Sequence, residues 1–480
     1  MLRPLQASAQ NVKIFNYLTL KPLTSSMKTG RNLLLALLPA LAVGVIPASA
    51  QDAEEGDVIY QAQSVEIVGI DPTLREIISL HRPVTPQTAQ EPKFAIHTRD
   101  NKFILSIGGV INPILGFDLG NDLYDATGKS TDFITGDIPV PSMPGHKSTF
   151  FINPFDSYLD FTIVGFGGTE NQVTGYVKLS LNGANNHAIL KRAYVSWRHI
   201  TVGETATIFK DHLAATPPTI DSEGPCGMVS ETAHSLNYKS PEWDGFSFAV
   251  GVEMPTFYSS NGVYRGPDYN HHFYDKQVTE EASQVVPDIP FYLQYQASRS
   301  NRIRLSGLMR NFAYRDLVAG KTRHLVGWGA MVSGNFSFYE PLVFNFQAVY
   351  GKGIANYIQD IQGRQISFTP KDDEIGRMES NPMMGLTFGA SYNATKKLQF
   401  NLVGSYARVW DAQNYAVLGD QDGVAGSNNY RYAVYGAANC FYSFTKYLQW
   451  GMEYVYGRRA TYELGAASDH RIQTQLIFSF

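Results

Sequence analysis

Cysteine, charge and long apolar runs are all scarce in this chain of 480 residues. The 2 cysteines are too few for a disulfide framework or a cysteine metal cluster. Charged residues make up only 17%, and the net charge of -4 gives no reason to expect a nucleic-acid partner. The longest apolar run, residues 33–46, is too short for a membrane-spanning helix, and no other long apolar run exists. If the mature chain spans a membrane, it must therefore do so as a β-barrel.

Recognisable catalytic and cofactor motifs are also missing. We find no Ser/His/Asp arrangement with a nucleophile elbow, no P-loop and no G-x-G-x-x-G between a strand and a helix. The adjacent pair His271 and His272 cannot point the same way on an extended chain, so it is a poor metal site. We therefore expect no enzyme, no cofactor and no metal centre.

The N-terminal region indicates export. From Met27 a positive segment with Lys28 and Arg31 precedes the apolar run at 33–46 and the small-residue site Ala48-Ser49-Ala50. This order is typical of a secretory signal peptide. We interpret residues 1–26 as an extension from a misplaced start codon and 27–50 as the signal peptide. Residues 51–101, broken by several prolines, are predicted to be a short periplasmic N-terminal segment and linker.

The last ten residues, RIQTQLIFSF, alternate in character with the period of a β-strand. One face carries Ile472, Thr474, Leu476, Phe478 and Phe480, while the other carries mostly polar residues. Such a strand suits a membrane barrel, where one face meets lipid and the other a wet lumen. It resembles the closing strand of bacterial outer-membrane proteins. The resemblance implies that Phe480 pairs with the first strand and is read by the barrel-assembly machinery.

About sixteen strand candidates follow one another between residues 103 and 480, and their connections largely alternate between short and long. High glycine and aromatic contents, with 42 Gly, 28 Tyr and 28 Phe, suit tight bends and aromatic girdles. We therefore predict an all-β fold, a transmembrane antiparallel up-and-down β-barrel over residues 102–480. Short periplasmic turns and long outer loops explain the alternation, which a soluble sandwich has no reason to keep.

Strand phase then predicts the lumen. Charged residues facing lipid at mid-depth cost about 2–4 kcal/mol, so charged faces should point inward. The inferred lumen residues are mainly basic, and rings of charge select ions by sign, so anions should be favoured. The basic candidates are Lys178, Arg192, Arg304, Arg310 and Arg471, and the acidic ones are Asp160 and Glu453.

Three stretches form one recognisable block in the middle of the chain: LKRAYVSWRHITVGETATIFKD from Leu190, ATPPTIDSEGPCGMV from Ala215, and FSFAVGVEMP from Phe246. This block resembles the DcaP-like trimeric outer-membrane porins. Two departures are Cys226, where a polar residue is usual, and the lack of a coiled-coil extension. The resemblance implies a homotrimer in outer-membrane lipid that passes small anionic solutes.

In that family the third outer loop, here residues 210–232, folds into the channel. Asp221 and Glu223 would then face the arginine wall and create a transverse field. Alternatively, these acids only anchor the loop through hydrogen bonds. Three function classes follow: a diffusion porin, a surface-binding or structural barrel whose long loops matter most, and a barrel enzyme whose catalytic groups we do not find.

Overall fold

The computed structural model describes residues 94–480, apart from some single residues and loop segments. The expectations for residues 1–93, including the signal peptide, lie outside this part, as do those for His271 and His272. Among the described residues no helix is long and apolar enough to cross a membrane. The segments not described are 99, 101, 121–131, 141–147, 155, 182–187, 213–215, 231, 260–261, 266–282, 285, 299, 365, 371–373, 412–429 and 463.

Sixteen antiparallel strands of the described chain close into one barrel, as the sequence predicted. We number them 1 to 16 in chain order. Strands 1 and 2 are each interrupted next to a proline, Pro113 and Pro154, which lacks the N–H that a sheet uses. The strands are Phe103–Ile111 with Ile114–Asp118, Thr149–Asn153 with Tyr158–Gly165, Val173–Ser180, Ile189–Trp197, Ile200–Ala206, Thr232–Lys239, Phe246–Ser259, Ile289–Ser298, Asn301–Asp316, Lys321–Tyr339, Leu342–Lys352, Pro382–Asn393, Leu398–Val409, Tyr430–Ser443, Leu448–Thr461 and Ala466–Ser479.

Short strands and 3-10 helices lie in the loops of this barrel. Gly262–Arg265 folds back on the end of strand 7, and Ser283–Gln284 pairs with strand 9. Phe368–Pro370 and Met378–Ser380 form a separate two-stranded sheet. The described 3-10 helices are Thr135–Asp137 and Ala355–Tyr357.

The barrel closes where strand 16 meets strand 1. Gln475 lies opposite Ile114, and Phe478 lies opposite Ile111. The last residue completes the contact, because Phe480 exchanges backbone hydrogen bonds of 3.0 and 3.1 Å with Gly109. Glycine is required there, since a Cβ would lie 2.8 Å from the Phe480 ring and 2.9 Å from a backbone oxygen.

The seam extends beyond the C-terminus. The short strand Phe94–His97 pairs antiparallel with residues 104–107 of strand 1, next to Gly109, where Phe480 is hydrogen-bonded. The rings of Phe94 and Phe480 meet edge to face at 6.2 Å. Four residues of the predicted linker 51–101 therefore belong to the barrel sheet, and the other domain limits remain predictions.

The strand phases agree with the sequence analysis. In strand 16 the polar set that includes Arg471, Gln473 and Gln475 is buried, whereas Leu476 and Phe478 are exposed. Strand 9 buries Arg302, Arg304, Ser306 and Arg310 and exposes Ile303, Leu305 and Met309, and strand 4 behaves likewise. A side-chain period of two is a local property, which is why sequence alone captures it.

The outward faces form an apolar surface bordered by aromatic residues. Trp328 and Tyr350 lie near one end, with their ring centroids 5.8 Å apart. Exposed aromatic residues also crowd the other end, which suits an interface between hydrocarbon and water. These residues are Trp197, Tyr238, Trp243, Phe246, Tyr295, Tyr339, Tyr392 and Phe444.

The two ends of the barrel differ in their connections. At one end, the turn end, all connections are short, from 166–172 to 444–447. At the other, the loop end, most are long. We number the loops 1 to 8 and use three below: loop 1 (119–148), loop 3 (207–231) and loop 6 (353–381). Loops 5 and 8, at 317–320 and 462–465, are short exceptions to the predicted alternation.

Part of the lumen is apolar, which the sequence analysis did not predict. Loop 1 contributes Phe133, loop 3 contributes Phe209 and Val229, and loop 6 contributes Tyr357 and Ile358 to one buried cluster. These side chains pack on apolar positions of the inner wall, on strands 9 to 15. Three loops rather than one therefore fold inward and narrow the lumen.

Candidate functional site: the lumen cavity and its constriction

A water-accessible cavity of about 710 Å³ remains within the lumen. Its walls come from strands 1 to 4 and 16, from the start of strand 6, from the turn-end halves of strands 11 to 13, and from loops 1 and 3. Ionisable side chains of both signs line it. The bases are Lys178, Lys191, Arg192, Lys210 and His212, and the acids are Asp132, Asp156, Asp221 and Glu223.

The basic patch, defined as Lys178, Lys191 and Arg192, lies on strands 3 and 4. Lys178 and Arg192 are directly opposite each other. Lys191 is the extra residue of a β-bulge, because the next pair joins Leu179 with Leu190. A bulge re-aims side chains, so Lys191 lines the cavity together with its neighbour Arg192. Strict alternation would have turned Lys191 towards lipid.

Acidic and aromatic groups surround this patch. Asp160 faces Lys178 across strands 2 and 3, as the inward phase of both residues predicted. The Lys178 ammonium lies 3.6 Å from the centre of the Tyr158 ring, a cation–π contact. The basic patch is thus held in a fixed position on the wall.

Asp221 joins loop 3 to loop 1 and to strand 14. Its carboxylate accepts hydrogen bonds from the Phe133 N–H and the Tyr435 hydroxyl, both at 3.0 Å. The alternative, in which this acid anchors loop 3, describes its contacts. Glu223 lines the cavity, and its carboxylate accepts a hydrogen bond from the Gln359 amide of loop 6.

Glu453 holds the tip of loop 3 rather than opening onto the cavity. Its carboxylate accepts hydrogen bonds from the backbone N–H groups of Ile220 and Asp221 at 3.0 and 2.9 Å. The amides of Asn439 and Gln473 donate two more, at 2.8 and 2.9 Å. Loop 3 continues along the inner wall so closely that a Cβ on Gly385 would lie 2.1 Å from the Gly227 oxygen.

Arg304 points inward as predicted, but it lies beneath the start of loop 3. Asp211 of that loop forms an ion pair with Arg302 and sits 3.9 Å from Arg304. Arg304 also donates to the Lys210 backbone oxygen at 3.0 Å and stacks on Tyr292 at 4.0 Å. The acid that opposes this arginine is therefore Asp211, not Asp221 or Glu223.

Arg310 and Arg471 are likewise paired with acids that the sequence analysis did not assign. Arg310 donates to Asp288 at 2.9 Å and to the Gly353 backbone oxygen of loop 6 at 2.7 Å. Arg471 binds Asp118 with two hydrogen bonds, at 2.5 and 3.1 Å. The charges of these arginines serve structural pairs, which leaves Lys178 and Arg192 as the predicted basic residues on the cavity wall.

Burial of loop 3 inside the lumen changes the protonation of its acids Glu223 and Asp221. Burial, assisted by nearby Asp132, raises the pKa of Glu223 to about 8. Burial also raises the pKa of Asp221, partly offset by the hydrogen bond from Phe133. At neutral pH the loop side of the cavity therefore carries less negative charge than its residue count suggests.

Other candidate chemistry is sparse in the described chain. No cluster of three or more His, Cys, Asp or Glu side chains with metal-binding geometry occurs among the described residues. Cys226 and Cys440 are both free thiols. Cys226 packs in the apolar cluster inside the lumen.

Comparison with known proteins places the fold. No family model matches the sequence, and no curated protein matches it. The outer membrane channel DcaP of Acinetobacter baumannii has a similar structure, with a TM-score of 0.64 and 17% identity over 80% of this chain and 99% of that one.

Two further solved structures have lower scores. The anion-selective porin from Comamonas acidovorans has a TM-score of 0.48 and 11% identity over 79% of this chain and 100% of that chain. Salmonella typhi OmpF in complex with daunomycin has a TM-score of 0.44 and 13% identity over 81% of this chain and 100% of that chain. The chain therefore has the fold of the DcaP channel, a closed barrel of sixteen antiparallel strands, as the sequence resemblance predicted.

Proposed function

We propose that this protein is an integral porin of the bacterial outer membrane. In this proposal it gives passive diffusion to small hydrophilic solutes and favours anions such as carboxylates, without catalysis. The apolar outer face with its aromatic borders supports the membrane location. The observation that carries the solute preference is the basic patch of Lys178, Lys191 and Arg192 on the cavity wall.

The channel follows from barrel size and polar lining. A barrel of about sixteen strands is wide enough to leave an aqueous passage. Loops 1, 3 and 6 narrow that passage on one side, so solutes would pass along the wall that bears the basic patch. Fixed positive charge there lowers the free energy of an anion and raises that of a cation.

Single-channel recording tests this function. Purified protein in a planar bilayer is expected to open in stable conductance steps and to give an anion-selective reversal potential in a salt gradient. Because we propose a homotrimer by likeness to trimeric porins, three equal steps should follow each insertion. A bilayer that holds inserted, folded protein without conductance would contradict the porin proposal, and isolated single steps would contradict the trimer.

A second candidate is a surface-binding or structural barrel. The apolar cluster of loops 1, 3 and 6 favours it, because these loops fill part of the lumen. In that case the long loops would contact ligands or host material, and the same recording would show folded protein without channel steps.

Phe480 is our candidate signal for assembly. Its backbone closes the seam against Gly109, and its ring packs 6.0 Å from that of Phe478. Deleting Phe480 is expected to reduce the heat-modifiable barrel in outer-membrane fractions several-fold, because the final pairing and the aromatic read by the assembly machinery are both lost. Phe478→Leu, which keeps an apolar side chain one pair earlier, is the matched control. An unchanged folded yield after deletion would contradict this role.

A further inference from the structure

A fully buried polar cluster joins the wall at strands 7 to 9 to loops 3 and 6. It contains Glu253 of strand 7, Asp288 just before strand 8, Arg310 of strand 9 and Tyr357 of loop 6. Thr207, at the start of loop 3, completes it. Glu253 and Asp288 are 1% and 0% exposed, so water does not share their charge.

The hydrogen bonds in this cluster require more protons than two ionised acids supply. The Tyr357 oxygen lies 2.8 Å from Glu253 Oε1 and 2.8 Å from Asp288 Oδ2. A tyrosine hydroxyl has one proton to donate. One of these two contacts must therefore be made by a proton that belongs to a carboxyl group.

The surroundings decide which carboxyl group holds that proton. Asp288 is paired with Arg310 through a 2.9 Å hydrogen bond, which favours its ionised form. Glu253 contacts only hydroxyl groups, from Thr207 at 2.7 Å and from Tyr357, and no described residue donates to its Oε2. A bare ionised oxygen in that position would be costly. The proton belongs on Glu253, giving a chain from Glu253 to Tyr357 to Asp288.

This chain of hydrogen bonds fixes loops 3 and 6 where they narrow the lumen. Tyr357 lies on the short helix Ala355–Tyr357, and its ring packs edge to face on Phe209 of loop 3 at 5.8 Å. Arg310 holds the first residue of loop 6 through the Gly353 oxygen at 2.7 Å. Reciprocal backbone bonds between Glu253 and Asp288, at 2.9 and 2.8 Å, tie strand 7 to the start of strand 8. Both loops thus meet the wall at this cluster.

We propose that Glu253, Tyr357 and Asp288 form a proton-dependent latch, which holds loops 3 and 6 against the wall while Glu253 is protonated. Loss of the proton places a second buried negative charge beside Asp288, whose charge already pairs with Arg310. Buried charges in that arrangement draw in water or separate. Tyr357 then loses its donor, and loop 6 is released as the pH rises.

Hydrogen exchange of loop 6 tests the latch without depending on channel activity. In wild type, backbone protection of residues 353–364, corrected for the intrinsic effect of pH, is expected to fall at least tenfold between pH 6 and pH 10. Glu253→Gln is the matched variant, because an amide donates to Tyr357 at every pH. Its protection should stay high throughout, while Tyr357→Phe should be poorly protected at both limits.

Three outcomes would overturn the latch. They are constant protection in folded wild type, a fall in Glu253→Gln equal to that of wild type, or full protection in Tyr357→Phe. A heat-modifiability assay on each variant establishes that the barrel itself is folded. Channel recordings at the two pH values add a separate readout, since only wild type should become noisier at high pH. Failure of the porin proposal would remove the current but leave the exchange result intact.

Discussion

Replacing Arg471 with leucine is expected to destabilise the closed barrel by about 3–5 kcal/mol. Removing one member of a buried ion pair leaves the other charge in the interior without that compensation. Arg471 and Asp118 are both 0% exposed and are joined by two hydrogen bonds across the seam between strands 16 and 1. The guanidinium also lies 4.9 Å from the Phe151 ring and 5.2 Å from that of Phe133. The midpoint of denaturant unfolding measures the loss.

A double variant separates charge from packing. Changing Asp118 and Arg471 together to leucine removes both charges, and such replacements are often neutral. The double variant should therefore recover most of the stability that Arg471→Leu loses. Arg471→Lys keeps the charge but not the two-pronged contact, so it should fall between wild type and the single leucine variant. Unfolding of Arg471→Leu at the wild-type midpoint would refute the structural role of the pair.

The sequence was sufficient for the barrel because its signals are local. Alternation of side chains needs only neighbouring residues, so the outward face of strand 9, with Ile303, Leu305 and Met309, could be assigned directly. Connection lengths could also be read without any long-range information. The short additional strand Phe94–His97 carried too few residues for its pattern to be distinguished from a linker.

The lumen was less predictable because its contacts are long-range. Asp211 is separated from Arg302 by 91 residues, and Asp118 from Arg471 by 353. Nothing in a strand pattern indicates which acid reaches which arginine. The bulge at Lys191 was hidden for a related reason, since one extra residue shifts the phase without altering composition. Aromatic and branched residues in loops 1 and 6, such as Phe133 and Ile358, were the available signal that these loops are buried.

These pairings change the expected origin of selectivity. The sequence analysis counted Arg192 and Arg304 among the basic lumen residues and expected Asp221 and Glu223 to face the arginine wall. Arg304 lies beneath loop 3 next to Asp211, whereas Lys178 and Arg192 line the cavity. Since charges act over about 8–10 Å at ordinary salt, residues on the cavity wall should dominate.

Neutralising Lys178 and Arg192 together, as Lys178→Gln with Arg192→Gln, is expected to shift the reversal potential in a salt gradient towards cation preference. A unit charge about 4 Å from an ion in water changes its energy by about 1 kcal/mol. For each charge removed, anion permeability should therefore fall about fivefold and cation permeability rise about fivefold, so their ratio should fall about 25-fold. Arg304→Gln is the matched control, and it should shift the potential much less.

The pH dependence of the reversal potential is a second test that charges lining the cavity set the selectivity. Glu223, with its pKa raised by burial to about 8, is mostly protonated at pH 6 and mostly ionised at pH 10. Ionisation adds negative charge to the cavity, so anion preference in wild type should decline as the pH rises through this range. Glu223→Gln should weaken that decline while leaving the selectivity at pH 6 unchanged. If the Lys178 and Arg192 double variant keeps the wild-type reversal potential at low salt, the basic patch does not set selectivity.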